Sequence, residues 1–330
     1  MRAVTRDELE RFAPVWDARV ASDPDLDPFC ARSAWSLSFH DGFEPDRPLY
    51  LLESPSACVI LAESQRENSV GLLEPLENMW GFSSPLIGQE ANTLLAEGLA
   101  EVPRPVLLLG IPALRDRLER MRDALVEHFW FRRLEPTPRF VASLEGGLEG
   151  WLSRRRPSLR RNLRASDRRR KEAGLTYRRV EPSSLDPGEN LYEKILDVEA
   201  RSWKGSKGQG VDQEPMRSFY AGLLLRLERS DALRAVLVER EGKPMGYLFG
   251  ASVGGHFRGL QFSYDQQWRS VGLGNLMQLE MITWLSEDRT VSYDLGGQSA
   301  YKLRWAEAIR SSENILLIPK RPSSDFSVKG

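Results

Sequence analysis

A glycine turn between a strand and a helix sets the strongest constraint on this chain. Residues 256–285 read HFRGLQFSYDQQWRSVGLGNLMQLEMITWL. From Phe257 to Tyr264 apolar and polar residues roughly alternate, as in a strand with one buried face. Arg269-Ser270-Val271-Gly272-Leu273-Gly274 follows, an R-x-x-G-x-G pattern. A helix is predicted from about Asn275 to Ser286, with Leu276, Leu279, Ile282, Thr283 and Leu285 at near-helical spacing. Such a turn makes an anion site. Glycines let a ligand approach the backbone, the first amides of a helix lack intrahelical partners, and Arg269 adds a positive charge. The expected ligand is a phosphate or pyrophosphate. The alternative is a plain strand–turn–helix with two turn glycines.

At 330 residues the chain is long enough for two domains. An apolar fraction of 41% with 28% charged residues is that of a soluble globular protein. No apolar run approaches the roughly 20 residues of a membrane span, and MRAVTRDELERF has no apolar signal segment. A cytoplasmic location is therefore expected, with no membrane partner. Cys30 and Cys58 form no metal or disulfide framework and read as free thiols. His40, His128 and His256 are scattered, so no metal site is expected. The net charge of −1 points away from nucleic acid as a partner. The charge is uneven, however: between Arg154 and Arg179 lie twelve Lys or Arg against Asp167 and Glu172.

Thr5 is placed to cap a helix over about 6–21, with Asp7 and Glu8 in its first turn and Pro14 within it. A second helical stretch is expected over 29–43, a strand meander over 49–52, 57–63 and 70–76, and a loop over 80–88. Helices are expected over 90–101 and 113–126, with strands over 105–109 and 128–134. Two prolines in RRLEPTPR, 132–139, suggest a connector. Beyond it come a strand at 140–144, helices at 148–152 and 157–173, a strand at 175–180, and helices at 190–203 and 216–230. A hairpin is expected across Glu241-Gly242-Lys243, then the glycine turn, a strand at 291–295, a short helical segment at 299–306 and a last strand at 313–319. The organisation expected is an α/β (α+β) chain with domains at 1–135 and 136–322 and a tail at 323–330.

The second half resembles the GNAT acyltransferase superfamily, and within it the cellulose-biosynthesis-type (CelD-like) acetyltransferases related to the Fem aminoacyl transferases. The glycine turn stands where those proteins cradle the acyl-CoA pyrophosphate, with Tyr264-Asp265 just upstream. Tyr293-Asp294-Leu295-Gly296-Gly297 followed by Tyr301-Lys302-x-x-Trp305 resembles the branch's D-x-G…Y-K-x-x-W ending, and Leu159-Arg160-Arg161-Asn162-Leu163-Arg164 resembles its basic helix. The likeness runs from about residue 140 to 320; Asp27-Pro28-Phe29 and Trp35 fit the N-terminal portion more loosely. The resemblance implies two tandem GNAT-like lobes, each a mixed, mostly antiparallel sheet flanked by helices, with a cofactor loop only in the second.

It also implies an N-acyltransferase using acetyl-CoA or another acyl-CoA as co-substrate, with a small-molecule amine or amino sugar as acceptor. Arg269, Ser270, Val271, Gly272, Leu273, Gly274 and Asn275 would hold the cofactor. Tyr301 would be the general acid for the departing thiolate and Asp294 the group that binds or deprotonates the amine. Trp203, Tyr264, Asp265, Lys302 and Trp305 would border the substrate, and Glu199 lies one turn before Trp203. Packing is the alternative for the aromatics, loop capping for Asp294 and Asp265, and a solvated surface for Lys302 and Glu199. Arg160, Arg164, Arg168 and Lys171 share a helix face that suits an anionic substrate, the CoA 3′-phosphate or tRNA, or is simply solvated. Two rivals remain: an aminoacyl-tRNA-dependent, Fem-like transferase and a non-catalytic acyl-CoA-binding protein.

Overall fold

Thr5 opens the first helix with a reciprocal cap: its hydroxyl accepts from the Glu8 amide, and the Glu8 carboxylate takes the Thr5 amide. A computed structural model describes residues 1–320 apart from 68, 186–188 and 209. The tail expected over 323–330 lies outside the described residues. The first half contains β1 (Arg2–Val4), α1 (Arg6–Ser22), α2 (Ser33–Phe43), β2 (Leu49–Glu53), β3 (Cys58–Glu63), β4 (Leu73–Glu74), β5 (Leu86–Ile87), α3 (Ala91–Gly98), β6 (Val106–Pro112), α4 (Arg115–Leu125) and β7 (Phe129–Arg133). Pro14 sits inside α1 without dividing it. The strand expected over 70–76 shrinks to two residues, because Leu72 N turns back to Ser69 O (3.0 Å).

The second half contains β8 (Thr137–Ser143), α5 (Gly147–Ser153), α6 (Pro157–Glu172), β9 (Thr176–Val180), α7 (Leu191–Ala200), α8 (Met216–Arg229), β10 (Leu233–Arg240), β11 (Lys243–Val253), β12 (His256–Tyr264), α9 (Leu273–Glu287) and β13 (Ser292–Asp294). A closing strand, Ala308–Pro319, ends the described chain. The connector expected over 132–139 is mostly strand, since β7 ends at Arg133 and β8 begins at Thr137.

These elements form two compact units, one of residues 1–138 with the stretch from Ser311, the other Arg139–Arg310. This differs from a second domain running to 322. The closing strand pairs antiparallel with β6 (Leu316↔Leu107) and with β7 (Leu316↔Arg132), which draws residues from Ser311 into the first unit. In that unit the sheet runs β1-β2-β3-β4-β6 and then the closing strand, with β5 beside β3 and β4 parallel to β6. Leu9, Trp16, Val20 and Ile60 fill one core cluster; Leu61, Leu95, Leu108, Met121 and Ile315 fill another.

The second unit carries the sheet β8-β13-β12-β11-β10-β9. Only its β12–β13 pair is parallel; the other pairs are antiparallel. Glu241 (φ 52°) and Gly242 (φ 77°) make the two-residue turn of the β10–β11 hairpin, a pair of positive φ values that matches strand twist. Helices α5, α6 and α9 pack their apolar faces (Trp151, Leu163, Met277, Ile282, Leu285) into one core with Phe140, Val236, Leu248 and Phe257. Both units are therefore mixed, mostly antiparallel sheets flanked by helices, the class expected. Among the described residues no helix is long and apolar enough to cross a membrane, and no His, Cys, Asp and Glu side chains gather as a metal set.

Candidate functional site

Strands β12 and β13 run side by side for three residues and then part. Their register is His256↔Ser292, Phe257↔Tyr293 and Arg258↔Asp294, after which β13 ends and β12 continues to Tyr264. On its other edge β12 carries a bulge. Phe249 pairs with Gln261 and Gly250 with Gly259, so Leu260 has no partner in β11. The Tyr293 ring occupies the space beside Gly259, where an added Cβ would stand 2.7 Å from it. Tyr293 in turn donates its hydroxyl to Gln278 Oε1 of α9 (2.5 Å).

A pocket of about 370 Å³ lies in the gap, lined by Trp203, Lys204, Leu248, Gly259, Leu260, Gln261, Phe262, Gln278, Tyr293, Leu295, Ser299, Tyr301 and Lys302. The sequence-derived residues Trp203, Tyr301 and Lys302 meet here although the first lies 98 and 99 positions from the others. Trp203 is exposed (45%). The Tyr301 ring stands edge-on to Phe262 at 5.7 Å, and its hydroxyl makes no hydrogen bond among the described residues. Burial pushes its pKa up to about 12. Lys302 Nζ donates to Gly297 O (2.7 Å). Its pKa is pushed down to about 8, first by burial and then by the nearby Arg258 charge. It is thus a half-buried pocket lysine and not a solvated one. Lys204, Gln261 and Gln278 were not singled out by sequence. Lys204 follows Trp203 directly, and that adjacency is the one signal that points to it; the glutamines are placed by strand register and helix packing.

The glycine turn lies at the head of α9. Gln266–Val271 form a short 3-10 turn, Gly272 is left-handed (φ 84°), and α9 begins at Leu273, two residues earlier than the sequence suggests. No side chain caps this helix start. Arg269 and Ser270 are exposed, and Arg269 forms no ion pair among the described residues. Val271 and Leu273 are core residues. The Asn275 amide bonds Gly272 O (3.1 Å). The two glycines serve different ends. Gly272 holds a backbone that L side chains resist, and an added Cβ would stand 2.8 Å from Ser166 Oγ of α6. Gly272→Ala is accordingly expected to cost about 1–2 kcal/mol of stability, read as a lower urea midpoint; an unchanged midpoint would show that the turn makes no such demand. Gly274 has ordinary helical geometry. A Cβ there would lie 3.2 Å from the Phe262 ring, so one side-chain layer separates the helix start from the pocket.

Other expected site residues lie elsewhere. Asp294 is not at the pocket wall. Its Oδ2 pairs with Arg258 (2.8 Å) and Arg139 (3.3 Å), and its Oδ1 accepts from Gly296 N (2.7 Å). Those contacts occupy the lone pairs a base would need. Asp265 is buried, accepts from Gln267 N (3.0 Å) and binds Arg201 Nε (2.7 Å), so it shapes the turn. Tyr264 packs against the core at Gly274. Trp305 is 1% exposed and stacked on Trp151 at 5.2 Å, a core residue and not a substrate wall. Glu199, read as a surface carboxylate, is fully buried and accepts from Tyr247 Oη (3.0 Å), Ser202 Oγ (3.4 Å) and Val211 N (3.3 Å).

On α6 the basic residues divide. Arg170 and Lys171 bind Asp167 (2.8 and 2.9 Å), and Arg168 lies 3.8 Å from Glu172. Arg169 donates to Ser166 Oγ (2.9 Å) beside the turn. Arg160, Arg161 and Arg164 form no ion pair among the described residues.

Residues 157–303 match the family described as acetyltransferase (GNAT) domain. No curated protein matches the chain. Solved structures share its fold at low identity. A conserved protein of unknown function from Bacteroides thetaiotaomicron is 13% identical with a TM-score of 0.64, covering 96% of this chain and 98% of that one. FemX is 12% identical at 0.63, covering 96% and 97%. The C-terminal domain of a putative lysylphosphatidylglycerol synthetase from Agrobacterium fabrum is 13% identical at 0.61, covering 94% and 92%. The family match spans both the uncapped glycine turn and the parted strands of the second unit, and on that footing residues 157–303 carry an acetyltransferase (GNAT) domain.

Proposed function

We propose that the protein transfers an acyl group, acetyl in the simplest case, from acyl-CoA to a primary amine. The observation that carries this reading is the uncapped, glycine-started α9 next to the pocket between β12 and β13. The free amides at the head of α9, with exposed Arg269, suit a pyrophosphate. Bound acyl-CoA would supply an activated thioester. Trp203, Leu248 and Phe262 give the pocket apolar walls that limit water around the reacting atoms. Tyr301 keeps its proton through the neutral range and is the donor for the departing sulfur. Attack is direct: the amine nitrogen bonds the acyl carbon, the carbon–sulfur bond breaks, and amide and CoA thiol leave. Asp294 acts as a positioning residue through Arg258. With no carboxylate among the lining residues, the acceptor ammonium gives up its proton to water.

Calorimetry tests the cofactor assignment. Acetyl-CoA is expected to bind saturably, and Arg269→Glu to weaken it at least about tenfold, the equivalent of about 1.4 kcal/mol. Absence of binding, together with no effect of the variant, would sink it. One observation favours a second reading. Arg160, Arg161 and Arg164 on α6, which form no ion pair among the described residues, suit an RNA backbone, as an aminoacyl-tRNA donor would require, and the fold is shared with FemX. That reading predicts steeply salt-dependent binding of charged tRNA and indifference to Arg269→Glu. It also leaves room for an acceptor larger than a small molecule.

A further inference from the structure

The charge around the pocket is not balanced by its own walls. Lys204 and Lys302 both line it, and none of the lining residues is Asp or Glu. Lys204 Nζ donates to Gln261 Oε1 (2.9 Å) and Phe262 O (2.8 Å). Lys302 Nζ donates to Gly297 O. An ammonium has three donors, so Lys302 keeps two and Lys204 one. Neither has a carboxylate within ion-pair distance among the described residues. Behind them, buried Arg258 and Lys302 Nζ converge on one spot, 3.4 and 3.5 Å from where a Cβ on Gly296 would stand. The nearby carboxylates are Asp294 and Glu199, and both are engaged: Asp294 by Arg139, Arg258 and Gly296 N, Glu199 by Tyr247, Ser202 and Val211 N. Tyr301 remains protonated beside them. Among the described residues, the two pocket lysines thus face no carboxylate that is not already bound.

Resting on the acyl-transfer reading above, we propose that this pocket selects a substrate bearing a carboxylate, anchored by Lys302 and Lys204. The carboxylate belongs either to the acceptor, as in an amino acid, or to the far end of a dicarboxylic acyl group. At about 370 Å³ the pocket lies toward the small end of ligand sites, about 300–1,000 Å³, which suits a small acid. Desolvation depresses both lysines and the Arg258 charge depresses Lys302 further, and an incoming anion offsets both effects.

Three product-like probes, titrated calorimetrically into the full chain without CoA, separate the possibilities. N-acetylphenylalanine carries the carboxylate on the acceptor side, N-phenethylsuccinamic acid carries it on the acyl side, and N-phenethylacetamide has none. One of the two acids is expected to bind at least about tenfold more tightly than the neutral amide, and its identity assigns the source. Lys302→Met should erase the difference, and Lys302→Arg should retain it. In the unaltered protein the preference should fade as pH rises through about 8, where Lys302 loses its proton; in Lys302→Arg it should persist. Equal affinity of all three probes, including no binding by any, overturns the proposal. So does a preference that survives both Lys302→Met and Lys204→Met. A parallel acetyl-CoA titration on the same sample reports on the cofactor assignment separately.

Discussion

Replacing Tyr301 by phenylalanine is expected to lower kcat for acyl transfer about a hundredfold, the low end of what a positioned proton donor contributes. The KM for acyl-CoA should change little. Phenylalanine keeps the ring that packs edge-on against Phe262, so the pocket wall stays in place. The hydroxyl has no hydrogen-bond partner among the described residues, so removing it leaves no protein group stranded. Its pKa, pushed up to about 12 by burial, means that the wild-type side chain is protonated across the assay range. The loss should therefore be nearly independent of pH between 6 and 9. Steady-state thiol release with matched urea denaturation curves is the measurement. A kcat within twofold of wild type, in a folded variant, would remove Tyr301 from the chemistry and leave it a packing residue.

The largest stability loss is expected far from the site, at Glu77. This carboxylate is wholly buried in the first unit and accepts five backbone amides in succession. Oε1 takes Met79 N (2.9 Å), Trp80 N and Gly81 N (3.2 Å), and Oε2 takes Phe82 N (3.0 Å) and Ser83 N (3.4 Å). The loop it gathers carries Trp80, which packs on Trp35, Phe39 and Phe43, and Ser83, which bonds Ser36 (2.9 Å). Glu77→Ala strands those amides, of which the Gly81, Phe82 and Ser83 amides are buried. Each unpaired buried amide costs about 1–3 kcal/mol, and the backbone relaxes to recover part. A net loss of about 3–5 kcal/mol is expected, visible as a large drop in the urea midpoint followed by tryptophan fluorescence. A shift under about 1 kcal/mol would mean that the loop is held by its aromatic contacts alone.

Local chemistry made much of this fold readable. Thr5 and Glu8 cap a helix from four residues of sequence, Glu241-Gly242 specify a hairpin, and the glycines at 272 and 274 mark the turn into α9. The pocket was half readable for the same reason. Trp203, Tyr301 and Lys302 lie in stretches with recognisable neighbours, whereas Gln261 and Gln278 reach the pocket only through the bulge in β12 and the packing of α9. Asp294 shows the limit. Its strand position suggests a reactive carboxylate, but its chemistry is decided by Arg139 and Arg258, which reach it through strand pairing 36 or more residues away. Trp305 and Glu199 fail similarly: an aromatic or a carboxylate near a site looks the same in sequence whether it faces ligand or core. Glu77 gave no signal, because what it binds is backbone.

The closing strand has a consequence for synthesis. The first unit is translated first but lacks a strand that pairs with β6 and β7 until residue 319 has left the ribosome. Domains usually fold in the order in which they emerge; here the nascent first unit must wait with β6 and β7 lacking that partner while the whole transferase unit is made. Open strand edges recruit other strands. Ribosome-stalled chains ending near residue 305 should therefore be more protease-sensitive in residues 1–138 than the released protein, and should depend more on chaperones.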